Sequence, residues 1–341
     1  MALIEKIKEK AKTLGFALAG VTTPEPPPHW PVFQNWLALG RNGSMSYLND
    51  PRRADPHLVL PECKSILMLA LPYPNPAHDP SQPSHRGRVA AYARGGDYHL
   101  IIPEKLKALA AFIEQEAGVP VPHRCTTDTG PLLERDLAQR AGLGWIGRST
   151  CLINPAIGSS FFLAELLLGI ELEPDEPFTA DRCGKCNRCI EACPTACILP
   201  DRTLDTRCCI SYLTIENKGE IPPGLRQQVG DWIFGCDICQ QVCPWNQHAK
   251  STSETCFEPR PGMPPSELTV ELSLTPPEFK KKFRDSPLLR ARRGGYLRNV
   301  AVVLGNQKDP ASIPALERAA REEEALISPH ARWALEQIRN G

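Results

Sequence analysis

Apolar residues recur at helical spacing at both ends of this chain and fall into strand-like runs between them. Leu3, Ile4, Ile7, Ala11 and Leu14 share one face of an N-terminal segment whose other positions are largely charged. That pattern predicts an amphipathic first helix. The run 65–71 is apolar and reads as a strand, and 15–21 reads as another. Helices are expected at 103–116 and 131–141. The second opens on Pro131, tolerated in a first turn, and Gly142 follows its end. Near the C-terminus Leu288, Leu289, Tyr296, Leu297, Val300 and Leu304 repeat at helical spacing. Ile313, Leu316, Ala319, Ala320, Leu326, Ala331, Ala334, Leu335 and Ile338 do so again, which predicts a single helix-pair repeat of HEAT type.

These patterns divide the chain into an α/β part at 1–175, a cysteine-rich part at 176–258 and a helical part at 278–341. The proline-rich stretch 259–277 is expected to link the last two. No apolar run reaches the length of a membrane span. Charges interrupt the apolar pairs at the N-terminus, so it does not read as a secretory signal peptide. The 39 basic and 39 acidic residues cancel, so any nucleic-acid footprint must be a local patch.

Ten of the 14 cysteines fall between Cys183 and Cys243. In a chain with no export signal, expected in the reducing cytoplasm, such clustering points to metal rather than disulfides. Cys183, Cys186, Cys189, Cys193 and Pro194 spell C-x2-C-x2-C-x3-C-P, the run of bacterial ferredoxins, whose fourth cysteine serves the other cluster. Cys236, Cys239, Cys243 and Pro244 form a second, shorter set. One 4Fe–4S cluster then takes Cys183, Cys186, Cys189 and Cys243. The other takes Cys193, Cys236 and Cys239, with Cys208 or Cys209 available as its fourth ligand. Zinc is the alternative, but it favours paired C-x2-C motifs around one ion. Cys63, Cys125, Cys151, Cys197 and Cys256 fit no pattern and read as small buried or half-buried residues. Two clusters make a wire, so the preceding domain is expected to hold what the electrons reach.

Several stretches resemble the epoxyqueuosine reductase family. They are Met45-Ser-Tyr-Leu48, Arg53-Ala-Asp-Pro56, Tyr92-Ala-Arg-Gly-Gly-Asp-Tyr-His99 and Thr127-Asp-Thr-Gly-Pro131, then Ala141-Gly-Leu-Gly-Trp-Ile-Gly147, Cys209-Ile-Ser-Tyr-Leu-Thr-Ile-Glu216 and Cys243-Pro-Trp-Asn246. The resemblance covers almost the whole chain. It implies an α/β cobalamin-binding domain, a ferredoxin-like double-cluster domain and a HEAT-like helical end. It also implies a reaction: the epoxide of epoxyqueuosine in the tRNA wobble position is reduced to queuosine, and the oxygen leaves as water. Electrons pass through both clusters to cobalamin.

The resemblance picks Cys209 as the eighth ligand and Asp128 as proton donor. It places Arg53, Asp128 and Ser211 at the cobalamin, with Tyr92 and Asn154 as further carry-overs. A carboxylic acid beside a large apolar corrin is expected to keep its proton near neutral pH. None of the eight histidines lies in a D-x-H-x-x-G pattern, so no protein ligand to cobalt is expected. Gly142, Gly144 and Gly147 space as G-x-G-x-x-G, but after a helix rather than a strand, which removes the dinucleotide reading. A loop wrapping the corrin is expected instead.

Between 280 and 298 stand Lys280, Lys281, Lys282, Arg284, Arg290, Arg292, Arg293 and Arg298 against the single acid Asp285. A tRNA substrate makes this a phosphate footprint, with Lys281, Arg284, Arg292, Arg293 and Arg298 as candidate contacts. The whole reads as a monomeric enzyme fed by a reductant such as a flavodoxin or ferredoxin. The rivals are a corrinoid reductase of small molecules, like the reductive dehalogenases, and a pure electron carrier. The dehalogenases usually carry a twin-arginine export signal and need no basic helical tail.

Overall fold

The structure is a computed structural model describing residues 2–78, 87–249, 255–322 and 324–340. Its N-terminal part holds α1 (Leu3–Thr13), β1 (Leu18–Thr22), α2 (Trp30–Ala38), β2 (Ser65–Pro72), β3 (Arg88–Val89), α3 (Tyr98–Ala117), β4 (His123–Thr126), α4 (Glu134–Arg140), β5 (Trp145–Ile146), β6 (Leu152–Ile153) and β7 (Phe161–Leu168). One sheet, ordered β1-β2-β7-β4, pairs antiparallel throughout. Both of its faces are covered, which is why β2 reads as an unbroken apolar run. Leu67, Leu69 and Leu71 pack with α1 and α3 through Ile7, Ile102, Leu106 and Ile113. Ile66, Met68 and Ala70 face Leu137 and Ala138 of α4.

Helix α3 begins five residues before the expected start. Asp97 accepts the His99 N–H and caps it, and Pro103 lies inside the helix rather than at its first turn. Gly118 ends it in the left-handed region.

The cysteine-rich part contributes α5 (Arg188–Glu191), α6 (Ile210–Ile215), α7 (Pro223–Arg226), β8 (Trp232–Phe234), α8 (Ile238–Gln241) and α9 (Pro244–Gln247). Strand β8 pairs parallel with β3, tying this part to the N-terminal domain. Asn246 adds a second tie. It is wholly buried, its side chain takes the Ser159 N–H at 2.7 Å, and its carbonyl accepts from Asn75 at 2.6 Å.

The C-terminal part holds α10 (Leu268–Glu271), α11 (Pro276–Lys282), α12 (Arg292–Gln307), α13 (Ile313–Ala319) and α14 (Ser328–Arg339). Residues 259–277 are not a free linker. Leu268 and Leu272 are buried in one core with Phe279, Leu297, Val300, Leu316 and Leu335, and that core also takes in Val89 and Phe234. The prolines hid this, because the buried aliphatic residues Leu268 and Leu272 lie within about one turn of helix and make no longer period. Among the described residues no helix is long and apolar enough to cross a membrane.

Candidate active site and cluster sites

The cysteines sort into two sets in space. Cys183, Cys186, Cys189 and Cys243 line one cavity of about 220 Å³ with Arg148, Arg182 and Trp245. A turn in which Cys186 N–H bonds the Cys183 carbonyl, followed by α5, aims the first three inward. Cys243 arrives as the residue preceding α9, the crossing expected from the motif. The Trp145 indole donates to Cys183 Sγ at 3.4 Å.

Cys193, Cys209, Cys236 and Cys239 line a larger cavity of about 390 Å³. Cys209 opens α6 and faces it, whereas Cys208 ends a separate turn and is not part of the lining. The geometry therefore chooses between the two candidates. Among the described residues no three His, Cys, Asp or Glu side chains converge as they would on a single ion. Each set of four thiols instead surrounds a void, as a cube-shaped cluster requires and a zinc tetrahedron does not.

Two thiols outside the cysteine motifs belong here as well. Cys197 Sγ lies 3.4 Å from Cys193 Sγ, and Cys151 hydrogen-bonds Cys239. Both line the larger cavity. No spacing rule marks them, because they reach it from an isolated turn and from the end of the glycine loop.

The larger cavity is walled by Tyr73, Tyr92, Tyr98, Phe161 and Phe162, and Asp128 and Ser211 face it. Tyr92 sits among these rings, 6.4 Å from Tyr73 and 6.2 Å from Tyr98 between centroids. Arg53 and Asn154 are not in the lining. Asn154 donates to the Leu143 carbonyl and accepts from Ala156 and Ile157, so its amide holds a turn of its own chain. Arg53 is buried and donates to the Leu132 carbonyl at 2.9 Å, but its Nε has no protein partner. The aromatic wall fits a large apolar group. The loop of Gly142, Gly144 and Gly147 lies elsewhere than expected. A Cβ at Gly147 would come within 3.4 Å of Cys183 Sγ, so the loop packs on the first thiol set; Ser149–Leu152, which follow it, line the cavity.

Asp128 follows β4 with φ 56°, a left-handed residue that needs holding. Its N–H donates to Glu134 Oε1 at 2.6 Å, and its Oδ2 accepts from the Tyr98 hydroxyl at 2.8 Å. His99 Nε2 is 3.2 Å from the same oxygen, and Asp97 holds the other ring nitrogen at 2.8 Å. Burial opposes a charge on His99, but its bonds to Asp128 and Asp97 outweigh that and lift it to about 9. Burial pushes the Asp128 carboxyl up, yet the bonds from His99 and Tyr98 prevail and hold it below its ordinary value. The expected raised carboxyl is therefore reversed: at neutral pH the proton resides on His99 and Asp128 is its anion.

The basic stretch divides. Lys281, Arg284 and Arg292 are exposed. Arg293 is drawn inward, donating to the Leu274 carbonyl and pairing with Glu322 at 3.0 Å and Glu324 at 2.5 Å. Arg298 is not a surface residue at all. It is 0% exposed and donates to the carbonyls of Leu213, Asn217 and Gly219, so no phosphate can reach it. Charge counting along a sequence cannot separate these fates.

The comparisons agree with this geometry. Residues 182–246 match the 4Fe-4S double cluster binding domain, and residues 53–129 match the family described as Epoxyqueuosine reductase QueG, DUF1730. The epoxyqueuosine reductase of Xanthomonas campestris pv. campestris is 39% identical, the alignment covering 97% of this chain and 95% of that protein. That of Escherichia coli K12 is 38% identical over 98% of this chain and 89% of its own. A solved epoxyqueuosine reductase from Streptococcus thermophilus superposes with a TM-score of 0.92 at 31% identity, covering all of this chain and 91% of that one. Another, solved with a tRNA-Tyr epoxyqueuosine-modified stem loop, gives 0.88 at 32% identity over 98% of this chain and 90% of that one. On this likeness across nearly its full length, the chain belongs to the epoxyqueuosine reductase family.

Proposed function

We propose that this chain reduces the epoxide of epoxyqueuosine in tRNA to queuosine, with a cobalamin seated in the larger cavity. One observation carries the reading: Asp128 and the four thiols of the second cluster set line the same cavity. Cys183, Cys186, Cys189 and Cys243 would hold one cluster and Cys193, Cys209, Cys236 and Cys239 the other, which would border the reacting centre and supply it with electrons. When bound there, a reduced cobalamin supplies the electrons or the nucleophile that opens the ring.

The chain's own residues do the rest. Tyr73, Tyr92 and Phe162 exclude water from one side. Ser211 faces the same space. His99 passes its proton to Asp128, and Asp128 gives it to the oxygen as the C–O bond opens. The C-terminal helices, read as a HEAT-type repeat, present Lys281, Arg284 and Arg292 to the tRNA backbone. The enzyme works as a cytoplasmic monomer supplied by a flavodoxin- or ferredoxin-like reductant.

The test is anaerobic reconstitution with iron, sulfide and cobalamin. The expected result is a corrinoid spectrum that changes on reduction and conversion of epoxyqueuosine-tRNA. Protein that acquires both clusters yet binds no corrinoid would return it to the rank of electron carrier.

A further inference from the structure

Removing an epoxide oxygen as water breaks two C–O bonds, forms one C=C bond and consumes two electrons and two protons. The electrons come along the cluster wire. Asp128 and His99 share one proton between them, so a second must come from elsewhere. We propose that Glu134, backed by Glu165, stores that second proton and returns it to the Asp128–His99 pair during each turnover; the inference rests on the reading above.

Glu134 is the first residue of α4 and lines the cavity beside Asp128, whose N–H its Oε1 accepts at 2.6 Å. Glu165 lies on β7 opposite Met68 and Thr126, on the sheet face beneath α4, and is 0% exposed. Its Oε2 accepts from Thr126 Oγ1 at 2.7 Å, while its Oε1 is buried with no protein partner. The two carboxyls adjoin. With Glu165 wholly buried beside half-buried Glu134, the two neighbouring carboxylates do not both ionise, and the pair retains a proton.

The groups facing Glu134 are Asp128 from the loop after β4, Glu165 from β7, Tyr98 from α3, Arg53 from the turn before β2, and Arg135 on its own helix. Burial and Asp128 raise it and the two arginines lower it, leaving it at about 8. A donor at that level gives up a proton readily near neutral pH and refills from solvent through the cavity mouth.

Glu134→Gln in the reconstituted, cobalamin-loaded enzyme tests this. Glutamine still offers a carbonyl to the Asp128 N–H but cannot release a proton. Cluster and cobalamin content should be unchanged, and turnover should fall roughly tenfold to a hundredfold. The wild-type rate should decline as pH rises through about 8, and the variant should lack that limb. Glu165→Gln removes the neighbouring carboxylate, so the limb should move to lower pH. An arm without substrate separates this from the proposed reaction: infrared difference spectra of wild type should show a protonated carboxyl titrating in that range, absent from Glu134→Gln. Wild-type turnover with an unaltered pH limb in Glu134→Gln, or a carboxyl that still titrates through about 8 in it, overturns the proposal. A wild-type enzyme that shows the band but does not convert epoxyqueuosine-tRNA counts instead against the substrate.

Discussion

His99 Nε2 stands 3.2 Å from Asp128 Oδ2, and the imidazole holds the proton that the carboxylate will need. Asp97 fixes the ring from its far side, so the arrangement is carboxylate–imidazole–carboxylate with only Asp128 facing the cavity. A lone acid would have to keep its proton unaided. A paired one is recharged between steps.

Asp128→Asn keeps the shape and the backbone bond to Glu134 while removing the acid. Iron content, cobalamin binding and cobalamin reduction should survive. Conversion of epoxyqueuosine-tRNA should fall by roughly 10²–10⁴-fold, the range of a positioned general acid. Full turnover in that variant, measured with clusters and cofactor present, would reduce Asp128 to a turn residue.

The same pair should mark stability against pH. The folded-state value of His99 lies above its unfolded one, so its contribution is complete below about 6.5 and disappears as pH rises through about 9. The difference in Tm between wild type and His99→Asn should therefore be largest at the acid end of that window and shrink toward the alkaline end. A difference that stays flat would mean the imidazole is not charged in the fold.

The amphipathic helix, the strand 65–71 and the motif cysteines were legible because each follows a period or a fixed spacing. The sheet order was not, since antiparallel pairing of β1, β2, β7 and β4 joins residues from 39 to 103 positions apart, and no local pattern says which strands meet. Asp128 was visible only through resemblance. Its partner His99 stood in a quoted motif, but nothing in the sequence says that two segments 29 residues apart meet. Glu165 is an acid in an apolar strand, a local contradiction that sequence alone does show and that marks a special site. Arg298 reads identically to its exposed neighbours, and only packing distinguishes them.

The choice between adjacent cysteines gives a chemical test. Reconstituted wild type should approach about eight irons per chain, from two four-iron cubes. Cys209→Ala should lose the second cluster and fall toward about four, because the first set does not depend on it. Cys208→Ala should keep the full complement. The reverse pattern would reassign the ligand and place Cys208 in the cavity.

The basic stretch should split by burial. Lys281→Glu with Arg292→Glu reverses two exposed charges. All cognate tRNAs should bind more weakly by similar factors, with a shallower dependence of affinity on salt, because phosphate contacts carry no sequence information. Thermal stability should change little. Arg298→Met should do the opposite. Its guanidinium serves the Leu213, Asn217 and Gly219 carbonyls and Asn299 Oδ1, and methionine fills the space while leaving these buried acceptors unpaired. At about 1–3 kcal/mol for each unsatisfied group, the fold should lose on the order of 3 kcal/mol or more. That loss should appear as a lower denaturation midpoint, while tRNA affinity of the protein that remains folded keeps its wild-type salt slope. A stable Arg298→Met with a shallower salt slope would show that this side chain reaches the RNA after all.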